Sequence, residues 1–128
     1  MGQQQLLLIV LGTIIVGVAV VVGINMFGQG AVNAERDALL QDVNSIASNA
    51  AAYWRKPAAL AGGARSFVGI SDVTMFGADS TNANGAFTMT VTNATTFVLT
   101  ATGANEGVVI VATVTQDGVQ GTPAITLP

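Results

Sequence analysis

Histidine and cysteine are both absent from this chain. Imidazole bases, thiolate nucleophiles, disulfides and nearly every zinc or iron site are excluded with them. Asp72, Asp79, Asn82, Asn84 and Asp117 are residue types that ligate calcium. The segment DSTNANG, residues 79–85, lacks the alternating ligands and closing glutamate of an EF-hand, which favours a solvated turn over a cation loop. Phe27, Tyr53, Trp54 and Phe67 could in principle relay electrons, but aromatic residues make up only 5% of the chain, and core packing is the simpler role. Asn93-Ala94-Thr95 matches the acceptor pattern for N-glycosylation. Glu35-Arg36-Asp37 reads as a hydrated helix turn in preference to an intersubunit ion pair. Nothing in the sequence resembles a nucleophile–base pair. The expectation is a protein that is not an enzyme, with no catalytic, cofactor or metal site.

The charges say where the solvent changes. Net charge is −3, and the only cations are Arg36, Arg55, Lys56 and Arg65, a poor patch for displacing phosphate counterions, so no nucleic-acid partner is predicted. Residues 1–34 carry no charged side chain, and all eleven charges lie between Glu35 and Asp117. From Leu6 to Ile24 runs LLLIVLGTIIVGVAVVVGI, 19 residues whose only polar side chain is Thr13. As a helix this segment spans ~28 Å, close to the ~30 Å hydrocarbon core of a bilayer. A helix apolar on every side must be buried in lipid or in protein. Gly12, Gly17 and Gly23 interrupt it at spacings that form no GxxxG face. Gly23, Gly28 and Gly30 mark the stretch where local unwinding is most plausible.

Beyond Glu35 the pattern becomes amphipathic. Leu39, Val43, Ile46, Ala50 and Tyr53 recur at 4-3-4-3 spacing, widened by Leu40, Ala47 and Trp54. Asp37, Gln41, Asp42, Asn44, Ser45, Ser48 and Asn49 occupy the opposite side. One long helix over residues 1–57 is predicted, apolar over 1–30 and packing on a head over 31–57. Pro57 disfavours its continuation. Residues 58–128 read as a β-rich head. Ser66–Ser71 is a candidate strand, residues 72–85 a polar loop, and Ala86–Thr92, Thr96–Thr102 and Val108–Thr115 are Thr/Val/Phe-rich strands joined by hairpin connectors. A last run near Ala124–Leu127 can pair at an edge. The fold class is therefore α+β: a long N-terminal helix packed on a small antiparallel sheet of three to four strands.

The polar start followed by QLLLIVLGTIIVGVAVVVGINMF, the amphipathic continuation and the small sheet together resemble a type IV pilin. The likeness in sequence covers residues 1 to about 30; the remainder is similar in architecture only. The resemblance implies a leader cut by a prepilin peptidase, transient insertion in the cytoplasmic membrane, and assembly by pilus machinery into a homopolymeric surface filament. Gly2 and Gln3 flank the implied cut if Met1-Gly2 is the leader. If a longer leader has already gone, Gln5 stands where the family usually carries a glutamate. No carboxylate precedes Glu35, and the family's helix-kinking proline and C-terminal cysteine pair are missing. The implied subunit-packing surface is Gln5, Leu6, Leu7, Leu8, Ile9, Val10, Leu11, Ile14, Ile15, Val18, Val21, Val22 and Ile24. The function implied is a structural filament subunit for adhesion, motility or surface attachment. Two alternatives stand beside it: a type II secretion pseudopilin, and a monomeric single-pass membrane protein with an extracytoplasmic binding head.

Overall fold

A computed structural model describes residues Gly2–Pro128, and its first element, α1, is one helix over Gly2–Arg55. The chain divides into two compact units, one ending at Asn33 and the other running Ala34–Pro128. α1 passes without a break through Gly23, Gly28 and Gly30. An isolated glycine costs a helix only ~1 kcal/mol and leaves its backbone hydrogen bonds available, so the single chain shows no unwinding at these positions.

Within the second unit α1 buries Glu35, Leu39, Val43, Ile46, Ala47 and Ala50. This is the 4-3-4 stripe read from the sequence, with one carboxylate added at its start. The stripe faces a four-stranded antiparallel meander: β1 (Gly85–Asn93), β2 (Thr96–Gly103), β3 (Val109–Thr115) and β4 (Gly118–Thr126), in the order β1-β2-β3-β4. Period-2 alternation sorts the side chains. Phe87 opposes Ala101 and then Ile110, Met89 opposes Leu99 and then Ala112, and Val91 opposes Phe97 and then Val114. Phe97, Leu99, Ala101, Ile110, Ala112 and Val114 are fully buried on this inner face. The other face carries Thr88, Thr100, Val111, Thr90, Val98 and Thr113.

Three segments depart from the sequence reading. Ser66–Ser71 is not a strand. Gly69 takes φ 92°, which breaks an extended run, and Phe67 and Ile70 instead plug the core from an irregular loop. Phe67 N–H donates to Ala94 O at 2.9 Å, anchoring that loop to the β1–β2 turn. Residues 72–85 are not simply a polar loop. Asp72 caps a 3-10 turn, Val73–Phe76, whose Val73 and Phe76 are buried. The last strand begins at Gly118 rather than Ala124, because Gln116-Asp117 forms a tight hairpin closed by Gly118 at φ 116°. Pro123 is tolerated inside β4 because β4 is an outer strand and a register shift opposite Val111–Thr113 relieves the pairing there.

Candidate assembly surface and the carboxylate ties

The first unit is a bare apolar surface. Every large side chain from Leu6 to Ile24, including the thirteen-residue packing set except Gln5, is between 51% and 68% exposed, and Phe27 is 83% exposed. The single hydroxyl in this run, Thr13, donates back to Ile9 O at 2.9 Å and so asks nothing of its surroundings. Among the described residues α1 is the one helix long and apolar enough to cross a membrane. Gly2 and Gln3 open α1, while Met1 lies outside the described residues. Gln5 is exposed on the same helix.

In the second unit the polar side chains of α1 serve as ties to the head. Glu35 is 9% exposed, and its two carboxylate oxygens accept the backbone N–H groups of Asn105 at 2.9 Å and Glu106 at 2.8 Å. These donors belong to the β2–β3 turn, which Gly103 N–H closes onto Val108 O at 2.6 Å. Glycine at position 103 leaves room for this carboxylate: a Cβ there would lie 2.5 Å from the Glu35 carboxyl carbon and would displace it. Two helical turns on, Asp42 Oδ2 accepts the side-chain amides of Asn82 at 3.1 Å and Asn84 at 2.7 Å. Asn82 Oδ1 in turn accepts Asn84 and Gly85 backbone N–H groups, shaping the entry into β1. Trp54 completes the set by donating its indole N–H to Ala94 O at 3.1 Å, in the β1–β2 turn. A seven-residue separation returns Glu35 and Asp42 to one side of the helix, so each grips a different loop of the same head.

Glu35 is therefore not a hydrated helix turn, and Asp42 does not sit idle on the polar face. The reading of Glu35-Arg36-Asp37 survives only in its latter part, where Arg36 pairs with its neighbour Asp37 at 3.1 Å on the surface. Removing Asp42 should loosen the 80–85 loop alone. Asp42→Ala is expected to cost the head about 1 kcal/mol and to speed amide hydrogen exchange at Asn84 and Gly85, with the β2–β3 turn unaffected.

The remaining candidates are dispersed. Asp72 caps the Val73–Phe76 turn by accepting Thr74 N–H at 3.4 Å, Asp117 faces Arg55 at 3.7 Å, and Asn82 and Asn84 are turned to Asp42. Among the described residues no three carboxylates converge on a cation position. Tyr53, Phe76, Phe67 and Phe97 form a stacked and edge-to-face core with neighbouring centroids 5.0–6.1 Å apart. Asn93 is exposed at the tip of the β1–β2 hairpin, where its Oδ1 accepts both the N–H and the hydroxyl of Thr95. No family model, curated protein or solved structure matches the chain.

Proposed function

We propose that the chain is the structural subunit of a surface filament of the type IV pilin class, inserted in the cytoplasmic membrane before assembly and polymerising with copies of itself through the Leu6–Ile24 part of α1. The observation that carries this reading is that apolar surface. Its side chains remain more than half exposed in the single chain although each gains roughly 1.5–3 kcal/mol on full burial. Such a surface has no stable exposed state in water. Lipid covers it before assembly, and a bundle of identical helices covers it afterwards, with the sheet-bearing units as the solvated sheath. A contact of this kind is heterologous and does not close, so it propagates as a helical polymer.

A second reading shares the same observation. The Gly2–Arg55 helix also meets the length and composition requirements of a lone bilayer span, which supports a membrane-anchored monomer with an exposed head. Shearing cells that express the protein, imaging the surface fraction by electron microscopy and weighing the subunit separates the two. Thin fibres composed of this chain are expected, and the N-terminal mass reports whether processing occurs between Gly2 and Gln3 or upstream. Val18→Asp should lower fibre yield roughly tenfold or more, since a carboxylate within an apolar bundle costs ~2.5–3.5 kcal/mol. A chain found only in the membrane fraction, without fibres, would leave the anchored monomer as the function.

A further inference from the structure

The charges of the Ala34–Pro128 unit are sorted by end. Glu35, Asp37 and Asp42 lie on the first turns of α1 in this unit, and Glu106 is drawn to the same end because its backbone N–H donates to Glu35. Arg36 is the cation among them and is paired with Asp37. At the opposite end Arg55 closes α1 and Lys56 follows it. Arg65 is folded back beside them, its N–H donating to Trp54 O at 2.7 Å while Ala64 N–H donates to Lys56 O at 2.9 Å. Asp117 lies 3.7 Å from Arg55 at this end, and Asp72 opens the Val73–Phe76 turn whose Phe76 packs on Tyr53. One end thus gathers four carboxylates around one guanidinium, and the other gathers the remaining three cations of the chain.

From Asp37 to Arg55 the helix rises roughly 27 Å, taking ~1.5 Å per residue. Charges that far apart are screened from each other at physiological salt, where the Debye length is about 8 Å. The two ends therefore cannot satisfy one another within a single head, but they can between two heads. An isologous pair related by a two-fold axis can join like ends. A head-to-tail contact joins unlike ends and repeats without closing.

We propose that heads bind end to end, with the Arg55–Lys56–Arg65 end of one copy against the Asp37–Glu106 end of the next. The setting rests on the filament reading above, although the contact itself needs only two copies in proximity. Each exposed ion pair is weak, so the contact sets register and polarity rather than strength.

Lys56 is the sole lysine of the chain, which makes the test specific. A zero-length carbodiimide condenses an amine with a carboxylate only where the two touch. Applied to the full-length protein in cell envelopes and in sheared surface fractions, it should produce a ladder of detergent-resistant oligomers. Peptide mapping should find Lys56 joined to Asp37 or Glu106, a bond that one head is too long to make internally. Arg65→Glu keeps the lysine and should cut the cross-link yield roughly fivefold, as should about 0.5 M salt. Fibres without this cross-link, or with Lys56 joined to other carboxylates, overturn the end-to-end contact and leave the filament reading intact. The mapped ladder in envelopes without any fibre upholds the contact and sinks the filament. Neither fibre nor ladder sinks both.

Discussion

Truncating Phe97 to alanine is expected to destabilise the head by about 3–5 kcal/mol, the range for removing a buried aromatic ring. Phe97 is 0% exposed and sits on β2 between Val91 and Val114 of the flanking strands. Its ring meets Phe67 edge-on at 5.0 Å and stacks on Phe76 at 5.5 Å, and Phe76 in turn meets Tyr53 of α1 at 5.2 Å. One side chain therefore bridges the sheet, the irregular 66–71 loop, the 3-10 turn and, through Phe76, the helix. The loop and the turn have no strand pairing of their own to hold them, so the loss should be felt there first. Urea unfolding of the detergent-solubilised full chain, followed by the fluorescence of Trp54, measures it. That single tryptophan is tied to Ala94 and reports separation of helix from sheet. Phe27→Ala, at an exposed ring, supplies the contrast and should leave the head's midpoint in place. A loss below about 1 kcal/mol at Phe97 would mean the four rings do not pack as one cluster.

The second large effect belongs to Glu35. Its carboxylate accepts two backbone N–H groups from the β2–β3 turn. Hydrogen bonds to a charged acceptor are worth about 1.5–3 kcal/mol each, and removing the acceptor leaves two part-buried donors without their protein partner. Glu35→Ala should therefore lower stability by about 2–4 kcal/mol. Glu35→Gln, which keeps one acceptor oxygen, should fall between alanine and the native residue. Amide exchange localises the effect: Asn105 and Glu106 should exchange faster in both variants. Gly103→Ala reaches the same tie from the other side, because its Cβ would occupy the space the carboxyl group needs. Retained protection of those two amides in Glu35→Ala would show that the turn is held by something other than the carboxylate.

Both effects concern the join between helix and sheet, which is also what a filament subunit must keep intact. The proposed assembly would act on the apolar part of α1, and the proposed ionic contacts between heads on the Ala34–Pro128 unit. Glu35, Asp42 and Trp54 hold that unit's loops to the helix that any assembly would pull on. A variant that loosens the ties without touching the apolar surface should leave membrane insertion unaltered while weakening the head.

Much of this architecture was legible in the chain itself. The apolar helix follows from nineteen residues with a single hydroxyl, since no other structure hides so many backbone groups while presenting only hydrocarbon. The Leu39–Ala50 stripe and three of the four strands follow from periods of about 3.6 and 2, which report local geometry and therefore need no knowledge of the rest of the chain. The last strand was legible only at its far end, near Ala124–Leu127, although it begins at Gly118.

What only the tertiary structure decided lies where a residue's role depends on a partner far away in sequence. Glu35 looks like an ordinary surface acid until residues 105–106 arrive above it, about seventy positions later. Asn82 and Asn84 look like turn residues or calcium ligands until Asp42 takes their amides. Ser66–Ser71 has the composition of a strand, but Gly69 at φ 92° breaks the extended run, and Phe67 and Ile70 become plugs in the core instead. The separation of charge between the two ends of the head likewise arises only when Glu106 and Arg65 are folded back to opposite ends of α1. Periodicity records which way a side chain faces along its own element, whereas a hydrogen-bond partner or a neighbouring charge is chosen by the path of the whole chain.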